Sequence, residues 1–332
     1  MPNILFSIVA ILLCGLSSVS AAPIHLIDQQ GREVVLQKPA ERIVSTFTPA
    51  NLFSLSLGLA DKLVGIGGMT KNSPFINKQL GNRELSVVGS RSAGTSLETI
   101  IALNPDLVLV FGKKDGYRLA DRLTSLGIAC LIIQPETFSE AQQVLDLLAK
   151  ATGTQDKAAQ IAAENKRLEN IINTGLTALT KEQRLRAYYV NSSDLYRTAS
   201  EKMFQHQLMT IAGVDNVAKN IPGFYPKVNV EQLLIWQPQI LVRESNDSSK
   251  VDEQLAQSLV SPLSKLPQIM LPKGSFWDMP SPMAMAGALY IAVNAYPEQF
   301  KNVDVNAEIA RFYQVAFGDE CLSPLQSMST CL

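Results

Sequence analysis

One segment of this chain occurs twice, and that duplication limits what the chain can fold into. The first copy runs Ser96-Leu97-Glu98-Thr99-Ile100-Ile101-Ala102-Leu103-Asn104-Pro105-Asp106-Leu107-Val108-Leu109-Val110. The second runs Asn229-Val230-Glu231-Gln232-Leu233-Leu234-Ile235-Trp236-Gln237-Pro238-Gln239-Ile240-Leu241-Val242-Arg243. They align without a gap, Glu98 on Glu231 and Pro105 on Pro238. Each opens on a good helix cap, Ser96 or Asn229, with an acid two positions later at the positive end of the helix dipole. A short apolar helix follows. The proline ends it, because the residue before a proline avoids the α region. The apolar run after the proline reads as a buried parallel strand. Helix then strand, twice, predicts an α/β fold of two similar lobes with parallel-type sheets.

A weaker echo supports the same division. Arg42 to Phe47 is a strand candidate leading to an apolar helix that reaches Leu57-Gly58-Leu59-Ala60-Asp61. Arg186 to Val190 is another, leading to a helix that reaches Ile211-Ala212-Gly213-Val214-Asp215. Glycine suits the helix C-terminus in both. Between the halves, Ala158, Ile161, Ala162, Leu168, Ile171, Ile172, Leu176 and Leu179 form a helical stripe with charged residues opposite and no proline. A single connecting helix over residues 155–181 is expected, between an N-terminal lobe at 22–154 and a C-terminal lobe at 182–332. With 332 residues, the chain suits two lobes better than one core, since single cores stop growing near ~250–300 residues.

The first residues read as an export signal. Ile4 to Leu16 is an apolar stretch shorter than a membrane span, followed by small residues through Ala22. Cleavage after Ala21 leaves residues 1–21 outside the fold and places the mature protein in the periplasm. Cys14 follows Leu13, against a lipid-anchor signal. In an oxidising compartment, Cys321 and Cys331 at the end of the chain are candidates for a disulfide. Cys130 lies in an apolar run and reads as a small buried hydrophobe. The 29 Lys plus Arg against 30 Asp plus Glu give a net charge of −1, which argues against a nucleic-acid partner.

The chain resembles the periplasmic solute-binding proteins of ABC importers, in the class with a helical backbone between lobes, the cobalamin and ferric-siderophore type. The resemblance rests on Glu-Arg-Ile-Val at 41–44, Leu-Gly-Leu-Ala-Asp-Lys-Leu-Val-Gly at 57–65, and Leu-Glu-x-Ile with Asn-Pro-Asp-Leu-Val at 97–108. It rests also on Ala-Gly-Val-Asp-Asn-Val-Ala at 212–218 and Ser-Pro-x-x-x-x-Gly at 281–287. It implies that Glu98 and Glu231, one per lobe, dock onto arginines of a membrane permease dimer with its ATPase, and that the protein works as a monomer without a cofactor.

Ligands of such folds sit at the C-terminal ends of strands and between lobes. That rule selects Arg91 in a Gly/Ser-rich loop, Arg197 and Arg243 after strands of the second lobe, Tyr225 ahead of the second repeat, and Trp277 ahead of Ser281. Three arginines at one cleft would favour an anion or the oxygens of a chelated metal. With only His25 and His206 in the chain, a multi-histidine site for a bare metal ion cannot form. A ferric siderophore is the first reading; a compact oxyanion such as molybdate or tungstate, cobalamin, or haem are alternatives. No Gly-x-Ser-x-Gly, His-Glu-x-x-His or Gly-x-Gly-x-x-Gly motif argues for an enzyme. A sensor reading the same ligand without transport is a further rival.

Overall fold

The computed structural model describes residues 22–67, 73–81, 83–90, 94–112, 115–244, 249–318 and 323–325. The signal segment, Arg91, Cys321 and Cys331 lie outside the described residues. A hairpin of β1 (Ile24–Ile27) and β2 (Glu33–Leu36) opens the fold. Asp28 closes its turn by accepting from the Gln30 and Arg32 amides, and its other oxygen accepts from the Ile132 amide.

The N-terminal lobe then runs β3 (Ile43–Ser45), α1 (Thr48–Ser56), β4 (Leu63–Gly67), α2 (Pro74–Gln79), β5 (Ser86–Ser90) and β6 (Gly94–Thr95). It continues with α3 (Leu97–Ala102), β7 (Leu107–Phe111), α4 (Gly116–Ser125), β8 (Cys130–Ile133) and α5 (Phe138–Thr152). After α6 (Gln155–Leu176), the C-terminal lobe runs β9 (Arg186–Val190), α7 (Phe204–Ile211), β10 (Asp215–Asn216), α8 (Val230–Trp236), β11 (Ile240–Arg243) and α9 (Ser249–Leu255). It ends with α10 (Ser261–Ser264), β12 (Gln268–Met270), α11 (Ala284–Ala295) and α12 (Val305–Phe317).

The two sheets share one topology. The N-terminal sheet has the order β6-β5-β4-β3-β7-β8 and the C-terminal sheet β10-β9-β11-β12. Removing β5 and β6 leaves the same four-strand order in each lobe, and all pairs among those strands are parallel. The expected two-lobed α/β fold is the observed one.

The helix ends repeat as well. Gly58 and Gly213, at φ 74 and 82, end α1 and α7 in the left-handed conformation. Their amides bond Leu55 and Thr210, and the next amides bond Ser54 and Met209. Ahead of the two prolines, Asn104 and Gln237 adopt φ 46 and 45. Avoiding the right-handed region there is satisfied by the left-handed one, which a glutamine adopts at a cost of roughly 1–2 kcal/mol.

Side chains alternate between two cores along the strands. Ile43, Leu107, Leu109, Leu131, Tyr189 and Val242 join one large core that both lobes share with α6. Val44, Val108, Val110 and Cys130 face a separate outer core of the first lobe; Tyr188, Val190 and Leu241 face the equivalent core of the second. Tyr188 and Tyr189 are therefore both buried, on opposite faces of β9. Burial pushes the Cys130 thiol up to about 12, so it is an inert core residue as expected.

The connecting helix stops at Leu176, five residues short of the expected end, because Thr180 and Gln183 cap a separate turn at Lys181–Gln183. At 1.5 Å per residue its 22 residues span about 33 Å. It does not stand alone. Helix α12 lies antiparallel along it: Lys157 donates to the Val315 carbonyl, Glu164 holds Arg311 at 3.0 Å, and Arg167 pairs with Glu308. Arg167 also reaches Glu164 at 2.8 Å. The same α12 touches the first lobe, where Tyr313 and Phe317 pack edge-on against Phe75 of α2. Residues 305–317, counted with the second lobe from sequence, thus bridge both lobes.

Glu164 is 7 % exposed and is shared by Arg167 and Arg311. Replacing Glu164 by Ala should destabilise the protein by about 1–3 kcal/mol in urea unfolding, less than a fully buried pair because both arginines can reach water. Glu164→Gln should lie between the two, and an unchanged midpoint for both variants would mean that the helix pair is held by apolar packing alone.

Candidate functional site

The parallel strands of both lobes end at a junction where the lobes touch. Phe138, just after β8, stacks on Phe204 at the start of α7 with ring centroids 4.8 Å apart, and its amide donates to Gln207 at 3.2 Å. Phe75 of the first lobe meets Phe276 of the second at 6.5 Å. On the first-lobe side, Phe47 after β3 packs on Phe111 at the end of β7.

Immediately behind the junction, the second lobe builds a polar wall from its strand-end loops. Glu244 follows β11. One of its carboxylate oxygens accepts from Asn191 Nδ2 at 3.0 Å, the Ser192 amide at 2.8 Å and the Ser192 hydroxyl at 2.6 Å. The other accepts a long bond, 3.4 Å, from the Tyr225 hydroxyl. That hydroxyl in turn accepts from Gln205 Nε2 at 3.0 Å, and Gln205 also donates to the Asp278 carbonyl at 2.8 Å. Asp278 is buried and accepts from the Tyr189 hydroxyl at 3.1 Å. Tyr225 and Phe276 hold φ values of 45 and 57, a strained conformation for aromatic residues that recurs at ligand clamps.

Burial, and then the nearby Asp278 charge, push the Glu244 carboxyl above the usual glutamate range, against the opposing Ser192 hydrogen bonds. Burial raises the Tyr225 and Tyr189 phenols as well, so both remain protonated donors at neutral pH. The arrangement gathers two carboxyl groups and two phenols, of which Glu244 and Tyr225 are half-buried and Asp278 and Tyr189 are buried. No group of three or more His, Cys, Asp or Glu side chains that could hold a metal ion occurs among the described residues.

The residues singled out from sequence fall into three places. Tyr225 is in the wall, half-buried, and Arg197 lies beside it, exposed, with Nη1 3.4 Å from the Tyr225 carbonyl. Arg243 does not open onto the junction. It is 3 % exposed and points to the outer face, where Nη1 meets Gln268 at 2.7 Å and Nη2 meets Asp252 at 2.7 Å. Trp277 is fully buried; its indole donates to Tyr313 at 3.0 Å, and its Cβ lies where any Cβ on Gly287 would stand, 2.5 Å away. Arg91 lies outside the described residues.

Arg243 and Glu244 are consecutive, and along a strand that turns their side chains to opposite faces. Arg243 shares its face with Leu241 of the outer core, and Glu244 shares its face with Val242 of the inner one. When the two copies are extended by one position, Glu244 aligns with Phe111, which packs on Phe47 at the end of the first-lobe strands.

Residues 43–261 match the model of a family described as periplasmic binding protein. A vitamin B12-binding protein of Yersinia pestis is 28% identical over 233 residues, which is 70% of this chain and 77% of the relative. Among solved structures, the molybdate periplasmic binding protein MolA of Haemophilus influenzae aligns with a TM-score of 0.78 at 18% identity, over 89% of this chain and 98% of its own. CeuE of Helicobacter pylori, in a complex with Ni-His, gives a TM-score of 0.77 at 22% identity, over 90% of this chain and 97% of its own.

A carbon-13 titration should find the Glu244 carboxyl titrating above ordinary glutamate, and Asp278→Asn should bring it down. Because the folded-state value is raised, the contribution of Glu244 to stability is full below its unfolded value and is lost as pH rises through the folded one. A midpoint in the ordinary range would show the wall to be open to water.

The family match covers well over half of the chain, and with two lobes of one topology meeting at their strand ends, the protein belongs to the periplasmic binding protein family and is a solute-binding transport component, not an enzyme.

Proposed function

We propose that this protein is exported to the periplasm, captures a metal chelate between its lobes, and delivers it to an ABC permease dimer with its ATPase. A ferric siderophore is the preferred cargo. The observation that carries this reading is the wall of Tyr225, Gln205, Glu244, Asp278 and Tyr189 at the lobe junction. Aromatic faces would cover the apolar part of an organic chelator, and the half-buried Tyr225 phenol and Glu244 carboxyl, braced by buried Tyr189 and Asp278, would meet its polar rim. Arg197 is proposed as the cationic contact beside Tyr225, with Arg91 from the first lobe. Arg243 and Trp277 are proposed to act from behind, by holding strand β11 and the loop that carries Asp278. A compact oxyanion is less well served, since the Arg243 guanidinium is engaged by Asp252 and Gln268. Cobalamin is the second reading, favoured by the relatives named for it.

Glu98 and Glu231 are proposed as the permease contacts. Both are exposed in the first turn of α3 and α8, helices whose caps Ser96 and Asn229 accept from the Thr99 and Gln232 amides. Neither is among the residues of the junction wall.

Native mass spectrometry of the protein isolated from the periplasm should find an iron chelate bound, and titration with a ferric trihydroxamate should saturate one site. Molybdate or cyanocobalamin binding with no response to any iron chelate would overturn the siderophore reading. Arg197→Ala should weaken binding by roughly 1.5–3 kcal/mol, about tenfold or more, and Tyr225→Ala by a similar factor. Replacing Glu98 and Glu231 together by Ala should abolish uptake and leave ligand affinity intact. Normal uptake by that variant would leave the two glutamates with helix stabilisation alone.

A further inference from the structure

The two copies of the repeat agree in more than sequence. Over eight consecutive positions, Glu98 to Pro105 and Glu231 to Pro238, the pattern of exposed, half-buried and buried residues is identical. Ile100 and Leu233 anchor the helices in the two outer cores, each fully buried. Three positions after each glutamate stands an exposed apolar residue, Ile101 at 43 % and Leu234 at 40 %. In an α-helix, residues three and four apart share a face, so each glutamate has an apolar neighbour on its own face.

The two faces differ in size. Where the first copy has Ala102, the second has Ile235, 74 % exposed. Helix α8 also contacts the turn Ser258–Val260, which presents Leu259 at 71 % exposure. A lone exposed isoleucine is ordinary on any surface. Two large exposed apolar side chains on the helix that carries the carboxylate, with a third on the turn that packs against that helix, at the place where the other lobe has a smaller version of the arrangement, mark an interaction surface.

We propose that each permease contact is bipartite, a glutamate beside an apolar anchor, and that the C-terminal lobe carries the stronger of the two through Leu234, Ile235 and Leu259. The partner it fits is a two-fold membrane permease that offers, at each of two equivalent places, a cation next to an apolar hollow. A two-fold partner accounts for the same constellation appearing once per lobe, and the unequal anchors hold the protein mainly by one end. The inference rests on the docking role proposed for Glu98 and Glu231.

The test is binding of the purified protein to its permease–ATPase complex in lipid nanodiscs, with on- and off-rates at several salt concentrations. Leu234→Ser/Ile235→Ser/Leu259→Ser should dissociate about tenfold to a hundredfold faster with the salt dependence unchanged, and Ile101→Ser by a smaller factor. Glu98→Gln and Glu231→Gln should instead slow association and flatten the salt dependence. All six positions are exposed, so thermal midpoints should match the parent and exclude misfolding. If the glutamine variants weaken binding and the serine variants do not, docking stands and the apolar anchors are refuted. If neither set changes binding, the docking role itself fails. If the parent self-associates in sedimentation and the triple serine variant does not, the patch covers a second copy of this chain and the proposal is overturned.

Discussion

The antiparallel pairing of α6 with α12 is the constraint on which the rest of the molecule depends. A single helix of about 33 Å between two lobes would bend and twist with thermal motion. Here the polar side of α6 is tied along much of its length to a second helix, by Lys157 to Val315 at one point, Glu164 to Arg311 at the next, and Arg167 to Glu308 beyond. Gly175 continues the seam by leaving room for the Phe300 ring, which would lie 2.3 Å from any Cβ there. Because α12 also packs on Phe75 of the first lobe, the two lobes are joined by two rods and one continuous apolar core.

The buried polar wall beside the lobe junction is held from within the second lobe. The Glu244 carboxyl is withdrawn from water close to Asp278, an arrangement that burial alone would disfavour. It is held by the hydrogen bonds of Asn191 and Ser192, which come from the end of the neighbouring strand β9. Tyr189 and Gln205 hold Asp278 in the same way from β9 and α7. A wall fixed by its own scaffold would lose little ordering entropy in the binding role proposed for it, which is the physical benefit of preorganisation. Motion on binding is expected to be a small rotation of the lobes, since among the described residues α6, α12 and a shared core join them.

The duplication also reaches the surface. Equivalent strands set equivalent helices, and α3 and α8 cover the outer cores of their sheets in the same way, down to the left-handed residue before each proline. Exposed side chains on those helices are therefore presented in equivalent settings by each lobe. The difference in size between Ala102 and Ile235 stands out because the burial pattern around the two is shared.

Much of this was legible in the sequence. The gapless repeat, the paired strand–helix echoes and the apolar stripe from Ala158 specify two α/β lobes and a connecting helix, because caps, prolines and periodicity act locally. Strand ends, read from the same patterns, placed Tyr225 and Arg197 near the junction. What the sequence could not decide was the face on which a strand-end residue lands and which distant segment it meets. Arg243 and Glu244 are neighbours in the chain, yet one pairs with Asp252 on the outer face and the other joins Tyr225 within the wall. Trp277 read as a cleft residue and is instead seated against Gly287 and Tyr313. The pairing of α6 with α12 joins residues more than a hundred positions apart, and only tertiary structure brings their charges together, since neither helix alone carries a signal for the other's register.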